Sequence, residues 1–585
     1  MKSNDLIFWR KIIIIVSLVL FAQIIAPFTK PGLTLGHDSQ LNLTYTQSFL
    51  NALQQGQFPV RYIDWFKPGN NAPLFNFYQP GIYYLFTAPM LLGIPKVLAL
   101  KIVIVTMWFL SSLLMYLFTK RHFGTLPALI AAYFYLIAPY HILDVFIRAA
   151  LSEFIALSFV PGIFWALKGY FDETKGIFLT LLAMFIAATT IMHPPTILMF
   201  SPLILAYLLY LYMSTKSKAS ATATIIAMIV GFGIVSFFLI PALLEQKFVQ
   251  TIFMRSGYYD FHNHFVCIPQ LFSTFWGHGT SQTGCLDGMS FQVGLAHWFC
   301  VGTVILIIII KLTTKLKKEQ FSNFLTISNF PQTLLLIFLT AFFTSLLMTH
   351  ESTKLIWEFV PYLEYIQYPW RFLSVAIFTS SFIAATLLII FKNESHQLVV
   401  FVILIAAATL AYSNFAKPIA YATEAEINFG GEILHDSVSG IKLLTPEPGY
   451  MPKWTQALPP DDNNPKEEIQ IATQSAKLLS SNLKAHKKEY EIEVHSPSTA
   501  RLYTHYFPGW EVTVNDTPQK ALIQNIFGYI DLELPAGNQK VTLTFKNTPI
   551  RSFSNLLSVS FLIVALLMAV AFNRKNPHSK VPNDT

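Results

Sequence analysis

The chain has 585 residues, of which 53% are hydrophobic and only 12% are charged, and its mean hydropathy is +0.49. Soluble globular domains carry about 25% charged residues, so this composition excludes an ordinary soluble protein and indicates an integral membrane protein. The net charge of +8 does not call for a nucleic acid partner. The basic residues cluster in short connectors, as they do in cytoplasmic loops of membrane proteins.

The first apolar segment runs from Lys11 to Phe28. At about 1.5 Å per helical residue it comes close to the roughly 30 Å of a bilayer core. No small-residue cleavage site follows it, so we interpret it as an uncleaved first span rather than a signal peptide. Further apolar runs lie at 97–118, 125–142, 148–168, 176–192, 195–213, 222–243, 292–311, 333–349, 370–391, 397–413 and 555–572.

Short basic connectors set the predicted orientation. If they are cytoplasmic, the chain alternates without contradiction and crosses about twelve times with both termini inside. The outer side then receives the loops 29–96 and 244–291. One apolar piece, 78–94, is interrupted by prolines, and we predict that it lies at the surface or re-enters without crossing. If it did cross, every later loop would change sides.

The region 414–552 is polar and differs from the rest of the chain. Strand-like alternation at 491–495 and 540–545, with turn signals such as Asn515-Asp516, predicts a small β-sandwich-like domain. The predicted organisation is a transmembrane domain over 1–413, an extracytoplasmic β-rich domain over 414–552, and a final transmembrane helix with a cytoplasmic tail over 553–585.

Asp38 is the strongest candidate catalytic residue. It follows the first span and begins a segment in which apolar residues recur every four positions, as in a helix lying in the membrane interface. One interpretation is that Asp38 only caps this helix. The other is a general base held at the membrane surface beside a lipid-borne substrate. The two roles are compatible.

Three arginines, Arg61, Arg148 and Arg371, fall on the predicted outer side at or near helix ends. A guanidinium can bind phosphate through two parallel hydrogen bonds, which suits transfer from a polyprenyl-phosphate sugar. The alternative is that such arginines extend to lipid headgroups. Three of them on one face favour phosphate binding.

Other ionisable residues are weaker candidates. Glu153 lies five residues after Arg148 in an apolar run, so the two could line one cavity or form a structural ion pair. His193 precedes two prolines in an outer turn, where it contacts either phosphate or backbone. Four residues of the long outer loop could ligate a divalent cation, although their spacing matches no specific metal pattern: His262, His264, His278 and Asp287.

Two further features limit the chemistry that the sequence predicts. Cys267 and Cys285 share one long loop and could form a disulfide if that loop faces an oxidising compartment, whereas Cys300 lies in an apolar run. The chain contains no phosphate-cradling glycine loop and no nucleophilic serine elbow. Any reaction would therefore use a donor that arrives already activated, and no cofactor is expected apart from a possible divalent cation.

Several motifs are distributed along nearly the whole chain, and the set identifies a family more specifically than any single motif does. They are Gly36-His37-Asp38-Ser39, Gly56-Gln-Phe58-Pro59-Val-Arg61, Pro73-Leu-Phe75-Asn-Phe77-Tyr78, Arg148-Ala-Ala-Leu-Ser-Glu153, Asp287-Gly-Met-Ser-Phe-Gln-Val-Gly294, Gln367-Tyr-Pro-Trp-Arg371-Phe, Gly449-Tyr450-Met-Pro452 and Tyr506-Phe-Pro508-Gly509-Trp510.

With these motifs the chain resembles bacterial polytopic proteins that carry the membrane domain labelled "6-pyruvoyl-tetrahydropterin synthase-related". These proteins are placed near YfhO-like proteins in the GT-C glycosyltransferase superfamily, so the chain is similar to that superfamily as well. The resemblance implies a GT-C fold, with Asp38 as the first-loop catalytic aspartate and Arg371 near the donor phosphate. Through their motifs, His37, Asp287 and Gln367 become candidate cavity residues. A single aspartate stands where an Asp-x-Asp pair would be expected, which leaves metal dependence open.

The predicted function is an inverting glycosyltransferase of the bacterial cytoplasmic membrane. It would move a sugar from polyprenyl phosphate to an extracytoplasmic glycan or lipid acceptor, with Asp38 activating the acceptor and Arg371, with Arg148 or Arg61, stabilising the departing phosphate. The region 65–84 and the loop 244–291 would form the cavity walls. The alternatives are a transporter or flippase of lipid-linked glycans and a non-catalytic protein of envelope assembly.

Overall fold

The structure is a computed structural model. It describes residues 22, 25–64, 71–313, 332–423, 426–427, 448–457, 469–471 and 476–571. The predicted first span, 11–28, lies largely outside these residues.

Most of the described chain is helical. The helices are α1 (Ser39–Gln54), α2 (Gly81–Leu91), α3 (Lys96–Phe123), α4 (Thr125–Leu136), α5 (Pro139–Phe146), α6 (Leu151–Glu173), α7 (Gly176–Met192), α8 (Pro194–Thr215), α9 (Lys218–Ile234), α10 (Ser236–Leu244), α11 (Leu295–Thr313), α12 (Gln332–Met348), α13 (Lys354–Phe359), α14 (Leu373–Ile389), α15 (Glu394–Tyr412) and α16 (Pro549–Ala571).

The helices make this a multi-pass membrane protein. Within the described ranges, seven helices are long and apolar enough to cross a bilayer, and two bent pairs raise that number to nine. One pair is α9 with α10, bent by 69°, and the other is α12 with Glu351–Phe359, bent by 92°. The helices α7 and α11 are apolar but shorter. Every apolar run predicted after the first segment therefore lies on one helix or on two consecutive helices.

The proline-interrupted piece at 78–94 forms the short helix α2 of 11 residues. At about 1.5 Å per residue this helix is far too short to cross a bilayer, as predicted. It packs closely against the end of α7, where a Cβ at Gly81 would lie only 2.7 Å from the carbonyl oxygen of Ile191. Glycine at this position therefore permits the close approach of the two backbones.

The C-terminal region forms a two-layered β structure. Its strands are β5 (Ile469–Ile471), β6 (Ala476–Lys484), β7 (Lys487–Val494), β8 (Ser498–His505), β9 (Trp510–Val514), β10 (Thr517–Gln519), β11 (Tyr529–Leu534) and β12 (Gly537–Phe545), while the short strands β1 (Leu33–Leu35), β2 (Ile63–Asp64), β3 (Asn71–Ala72) and β4 (Ala420–Ala422) pair outside it.

The two layers are antiparallel sheets with the strand orders β10-β9-β12-β7-β6 and β11-β8-β5. Their inner faces share one apolar core, to which Ile492 and Leu543 contribute from one sheet and Leu502 and Ile530 from the other. This confirms the predicted sandwich-like domain. The turn signal Asn515-Asp516 joins β9 to β10, and both residues have the positive φ that a tight hairpin turn requires.

The long loop 244–291 consists of short 3₁₀ turns between α10 and α11. Cys267 and Cys285 are joined by a disulfide within it, and Cys300 is a buried free cysteine of α11. The bridge closes a loop with a sequence separation of 18, which restrains a segment that has little regular structure of its own.

Candidate active site

A cavity of about 910 Å³ lies at one end of the helical bundle. Its walls come from the start of α1, the turn between α7 and α8, α10, the loop 244–291 and the segment before α14. Six of the nine predicted catalytic, phosphate-binding and cavity residues line this one cavity: His37, Asp38, Arg148, His193, Gln367 and Arg371. Asp38, Arg148 and Arg371 therefore converge on one cavity, although they come from distant parts of the chain.

Backbone hydrogen bonds join the segment of Asp38 to that of Arg148. The amide of Asp38 donates to the carbonyl of Arg148 at 2.8 Å, and the amide of His37 donates to the carbonyl of Ile147 at 2.9 Å. A Cβ at Gly36 would lie 2.7 Å from that same Ile147 carbonyl oxygen. The motif around Asp38 and the motif around Arg148 are therefore two halves of one local structure.

The carboxylate of Asp38 makes no hydrogen bond that caps α1, although Asp38 occupies the cap position. Capping therefore does not occupy the side chain, which remains open to the cavity. Solvent reaches this carboxyl group through the cavity, but the cavity walls surround it on the protein side. The resulting desolvation raises the pKa of Asp38 above its ordinary value, and the nearby charge of Arg148 opposes the shift. A carboxyl group with a raised pKa is a stronger base when ionised.

Glu153 lies beneath the cavity and organises its cations. The residue is 1% exposed. Its Oε2 accepts hydrogen bonds from Nη1 of Arg148 at 3.1 Å and from Nε of Arg371 at 3.2 Å. Its Oε1 accepts from the hydroxyl of Tyr140 at 2.6 Å. Asp144 is a second buried carboxylate bonded to Arg148.

Both arginines keep donors for a ligand. Arg148 uses Nη1 for its bonds to Tyr140, Asp144 and Glu153, and its guanidinium lies 4.3 Å from the ring centroid of Trp370. Arg371 uses Nε for Glu153 and Nη1 for the carbonyl of Ile366 at 2.6 Å. The Nη2 groups of both arginines make no hydrogen bond to the described part of the chain. They suit a phosphate-sized anion, which accepts paired guanidinium donors.

His193 lies against the same cavity in the turn between α7 and α8. Its Nδ1 is 2.8 Å from the hydroxyl of Thr196. Burial lowers the pKa of His193 to about 3, and the charge of Arg371 adds to this effect. The imidazole is therefore neutral near pH 7.

His37 and Gln367 connect the cavity wall to the long loop. Nε2 of His37 forms a hydrogen bond with the carbonyl of His278 at 3.0 Å. The amide of Gln367 donates to the carbonyl of Met254 at 2.9 Å, and its backbone has a φ of 66°. Both residues line the cavity, and both also hold its wall in place.

Two of the residues predicted for the site, Arg61 and Asp287, do not line this cavity. Arg61 does not line the cavity: its guanidinium donates to Asn76 at 3.0 Å, to the carbonyl of Phe237 at 2.9 Å and to Asn555 at 2.8 Å. Asp287 accepts from Gln270 and from the amide of Gln282, both at 2.8 Å, so it stabilises the disulfide loop.

The four loop residues considered for a cation are not brought together. His262 bonds to Asp260 and Glu358, while His264 bonds to Ser281 and the carbonyl of Tyr258. His278 and Asp287 have the separate partners given above. Across the ranges that the structure describes, there is no group of three or more His, Cys, Asp or Glu residues that could hold a metal ion.

The sequence interpretation missed the buried carboxylate of Asp144 beneath the cavity and several residues of the cavity wall. Asp144 lies four residues before Arg148, a helical spacing that favours an ion pair and could have revealed it. The predicted contributions of 65–84 and 244–291 to the cavity include Phe77, Tyr78 and Tyr258. The rest of the aromatic wall comes from Tyr362, Tyr365, Tyr368 and Trp370, while the apolar wall comes from Pro194, Leu198, Phe238, Leu239 and Leu243.

The fold and the site define a multi-pass membrane protein with a carboxylate and two arginines in one cavity. No family model matches this chain, and no curated protein matches it. A solved structure similar to it is the cryo-electron microscopy structure of the arabinofuranosyltransferase AftD from mycobacteria, with 13% identity and a TM-score of 0.41. The match covers 70% of this chain and 26% of that chain, so the match takes in about a quarter of that protein. The motif-based resemblance therefore stays a prediction.

Proposed function

We propose that this protein is a membrane glycosyltransferase of the GT-C type that uses a polyprenyl-phosphate sugar as its donor. The acceptor is a glycan or lipid outside the bacterial cytoplasmic membrane, on the side of the β-sandwich domain. The observation that carries the proposal is the shared cavity of Asp38, Arg148 and Arg371. It combines a carboxylate not engaged in capping with cationic donors at one end of the helices.

Each group has a defined role in the transfer. Asp38 accepts the proton of the acceptor hydroxyl while the oxygen of that hydroxyl bonds to the anomeric carbon of the sugar. The bond between this carbon and the phosphate oxygen breaks, and the polyprenyl phosphate leaves with the electron pair. Arg148 and Arg371 stabilise the negative charge that develops on the phosphate. Attack opposite the leaving group inverts the anomeric configuration.

Two groups of residues in the cavity lining suit the two substrates. Pro194, Leu198 and Leu243 form an apolar side, and Leu198 and Leu243 are also exposed on the surface of the helical bundle. Such a side suits the isoprenoid chain of a lipid donor. The part of the lining that is rich in tyrosine suits a sugar, which combines apolar ring faces with hydroxyl groups. A transporter would instead need a polar path toward the far end of the helices.

Sugar transfer by purified protein in lipid nanodiscs tests this proposal. The assay measures release of polyprenyl phosphate from a panel of radiolabelled lipid-linked sugars, with a mixture of envelope glycans and lipids as acceptors. Asp38→Asn is expected to lower the rate by about 100-fold or more, because general base catalysis contributes on that scale. Asp516→Asn, in the exposed β9–β10 turn, is the matched control and should keep the parent rate. Equal rates for Asp38→Asn and the parent would contradict the role of Asp38.

A further inference from the structure

The backbone around His193 is held firmly. Its amide donates to the carbonyl of Thr189 at 3.0 Å, and its own carbonyl accepts from the amide of Thr196 at 3.0 Å. Pro194 and Pro195 follow and begin α8, which further restricts the backbone at this turn. The imidazole is therefore held at a defined position in the cavity wall.

The hydrogen bond to Thr196 determines which ring nitrogen of His193 carries the proton. Thr196 is fully buried, and Nδ1 of His193 is the one partner of its hydroxyl among the residues that the structure describes. A buried hydroxyl that donated its proton to nothing would be costly, so Thr196 donates and Nδ1 accepts. A neutral imidazole that accepts at Nδ1 carries its proton at Nε2.

Nε2 is the nitrogen that remains for a ligand. It makes no hydrogen bond to the described part of the chain, and His193 lines the cavity. The ring is close enough to Arg371, Glu153 and Arg148 to interact electrostatically with all three. Because the imidazole is neutral, it adds a donor to the cationic end of the cavity without adding another buried charge.

We propose that Nε2–H of His193 donates a hydrogen bond to the phosphate group of the lipid-linked donor, beside Arg148 and Arg371. This inference rests on the proposed function and adds a phosphate-binding residue to it. Thr196 is the positioning residue, because its hydroxyl keeps the proton on Nε2. The phosphate then meets two guanidinium groups and one neutral donor.

Binding of undecaprenyl phosphate tests the inference without knowledge of the sugar. Its affinity for the protein in nanodiscs is compared with that of undecaprenol, which has the same chain and lacks the phosphate. In His193→Asn, the amide keeps the contact with Thr196 but does not reach the position of Nε2. In His193→Gln, the amide nitrogen reaches that position. His495→Asn, on an exposed turn of the β domain, is the matched control.

The parent protein and His495→Asn are expected to prefer the phosphorylated lipid. His193→Asn should reduce that preference by about tenfold or more, the scale of a hydrogen bond to a charged group. His193→Gln should restore most of it. An unchanged preference in His193→Asn would overturn the inference and leave the arginine site standing, whereas no preference in the parent would overturn the donor site itself.

A second variant covers the case in which His193→Asn fails to fold. Thr196→Val keeps the imidazole but removes the hydroxyl that donates to Nδ1, so the proton is free to move to Nδ1. Its preference for undecaprenyl phosphate should fall by severalfold, on the scale of one weakened hydrogen bond. A preference equal to that of the parent would show that the tautomer does not matter and would overturn the inference.

Discussion

Arg148 and Arg371 donate hydrogen bonds to the same oxygen atom of Glu153, at 3.1 and 3.2 Å. The two arginines come from distant parts of the chain, and their positive charges would repel each other in a cavity wall. The buried carboxylate between them offsets this repulsion and fixes the spacing of the two guanidinium groups. Glu153 is therefore a positioning residue for both cations.

Replacing Glu153 by Gln should destabilise the protein. The change leaves two buried guanidinium groups without their shared carboxylate, and breaking a buried ion pair in this way costs about 3–5 kcal/mol. Denaturant unfolding in detergent measures the effect. Glu173→Gln, on the same helix but in a partly exposed ion pair with Arg121, should cost no more than about 1 kcal/mol. Equal losses in the two variants would show that Glu153 does not organise the pair.

Arg371→Lys should weaken the binding of undecaprenyl phosphate by about tenfold, although it keeps the positive charge. A lysine cannot bond to Glu153 and Ile366 and still present a separate, planar pair of donors to the phosphate. Affinity for the phosphorylated lipid, relative to undecaprenol, measures the change. Arg501→Lys, on the β domain beside Asp531, is the control and should leave this affinity unchanged. A full retention of affinity in Arg371→Lys would show that charge alone binds the phosphate.

The pH dependence of transfer should report the ionisation of Asp38. A general base acts when it is deprotonated, and the pKa of Asp38 is raised by desolvation. The rate constant kcat/KM should therefore rise with pH through a limb above the ordinary aspartate value of about 3.9. A limb at or below that value would contradict the enclosed position of this carboxyl group.

The ionisation of Asp38 that raises the transfer rate should lower the stability of the fold. Because the folded state holds the Asp38 proton more tightly than the unfolded chain, stability falls as the pH rises from the ordinary pKa through the raised one. Asp38→Asn removes this loss. It should unfold at the same or a higher temperature than the parent at pH 7, and the advantage should disappear below the ordinary pKa. A lower Tm at pH 7 would give the carboxylate a structural role instead.

The helices and the β domain could be predicted because their signals are local. An apolar run or a strand alternation needs only its own residues to be recognised, and Asp38 stood out by its place after the first such run. Tertiary packing determines which groups the charged residues contact. Nothing near Asp38 in the sequence shows that its amide bonds to the carbonyl of Arg148.

Arg61 and Arg371 show most clearly what the sequence alone does not predict. Each follows a proline by two residues on the predicted outer side, so their local sequences predict the same role. In the structure the two arginines differ in the buried carboxylate to which each is connected. Arg371 donates to Glu153 beneath the cavity, whereas Arg61 donates to Asn76, which in turn donates to Glu245. Those carboxylates lie far from the arginines in sequence, so no local pattern distinguishes them.

Arg61 should accordingly matter for stability and not for the phosphate. Asn76 connects it to a second buried cluster, in which Glu245 accepts from Nε of Arg551 at 2.9 Å and joins α10 to α16. Arg61→Gln removes its bonds to Phe237 and Asn555, and we expect it to cost about 2–3 kcal/mol in denaturant unfolding. The affinity for undecaprenyl phosphate of the folded variant should match that of the parent, in contrast to Arg371→Lys. A loss of affinity without a loss of stability would return Arg61 to the donor site.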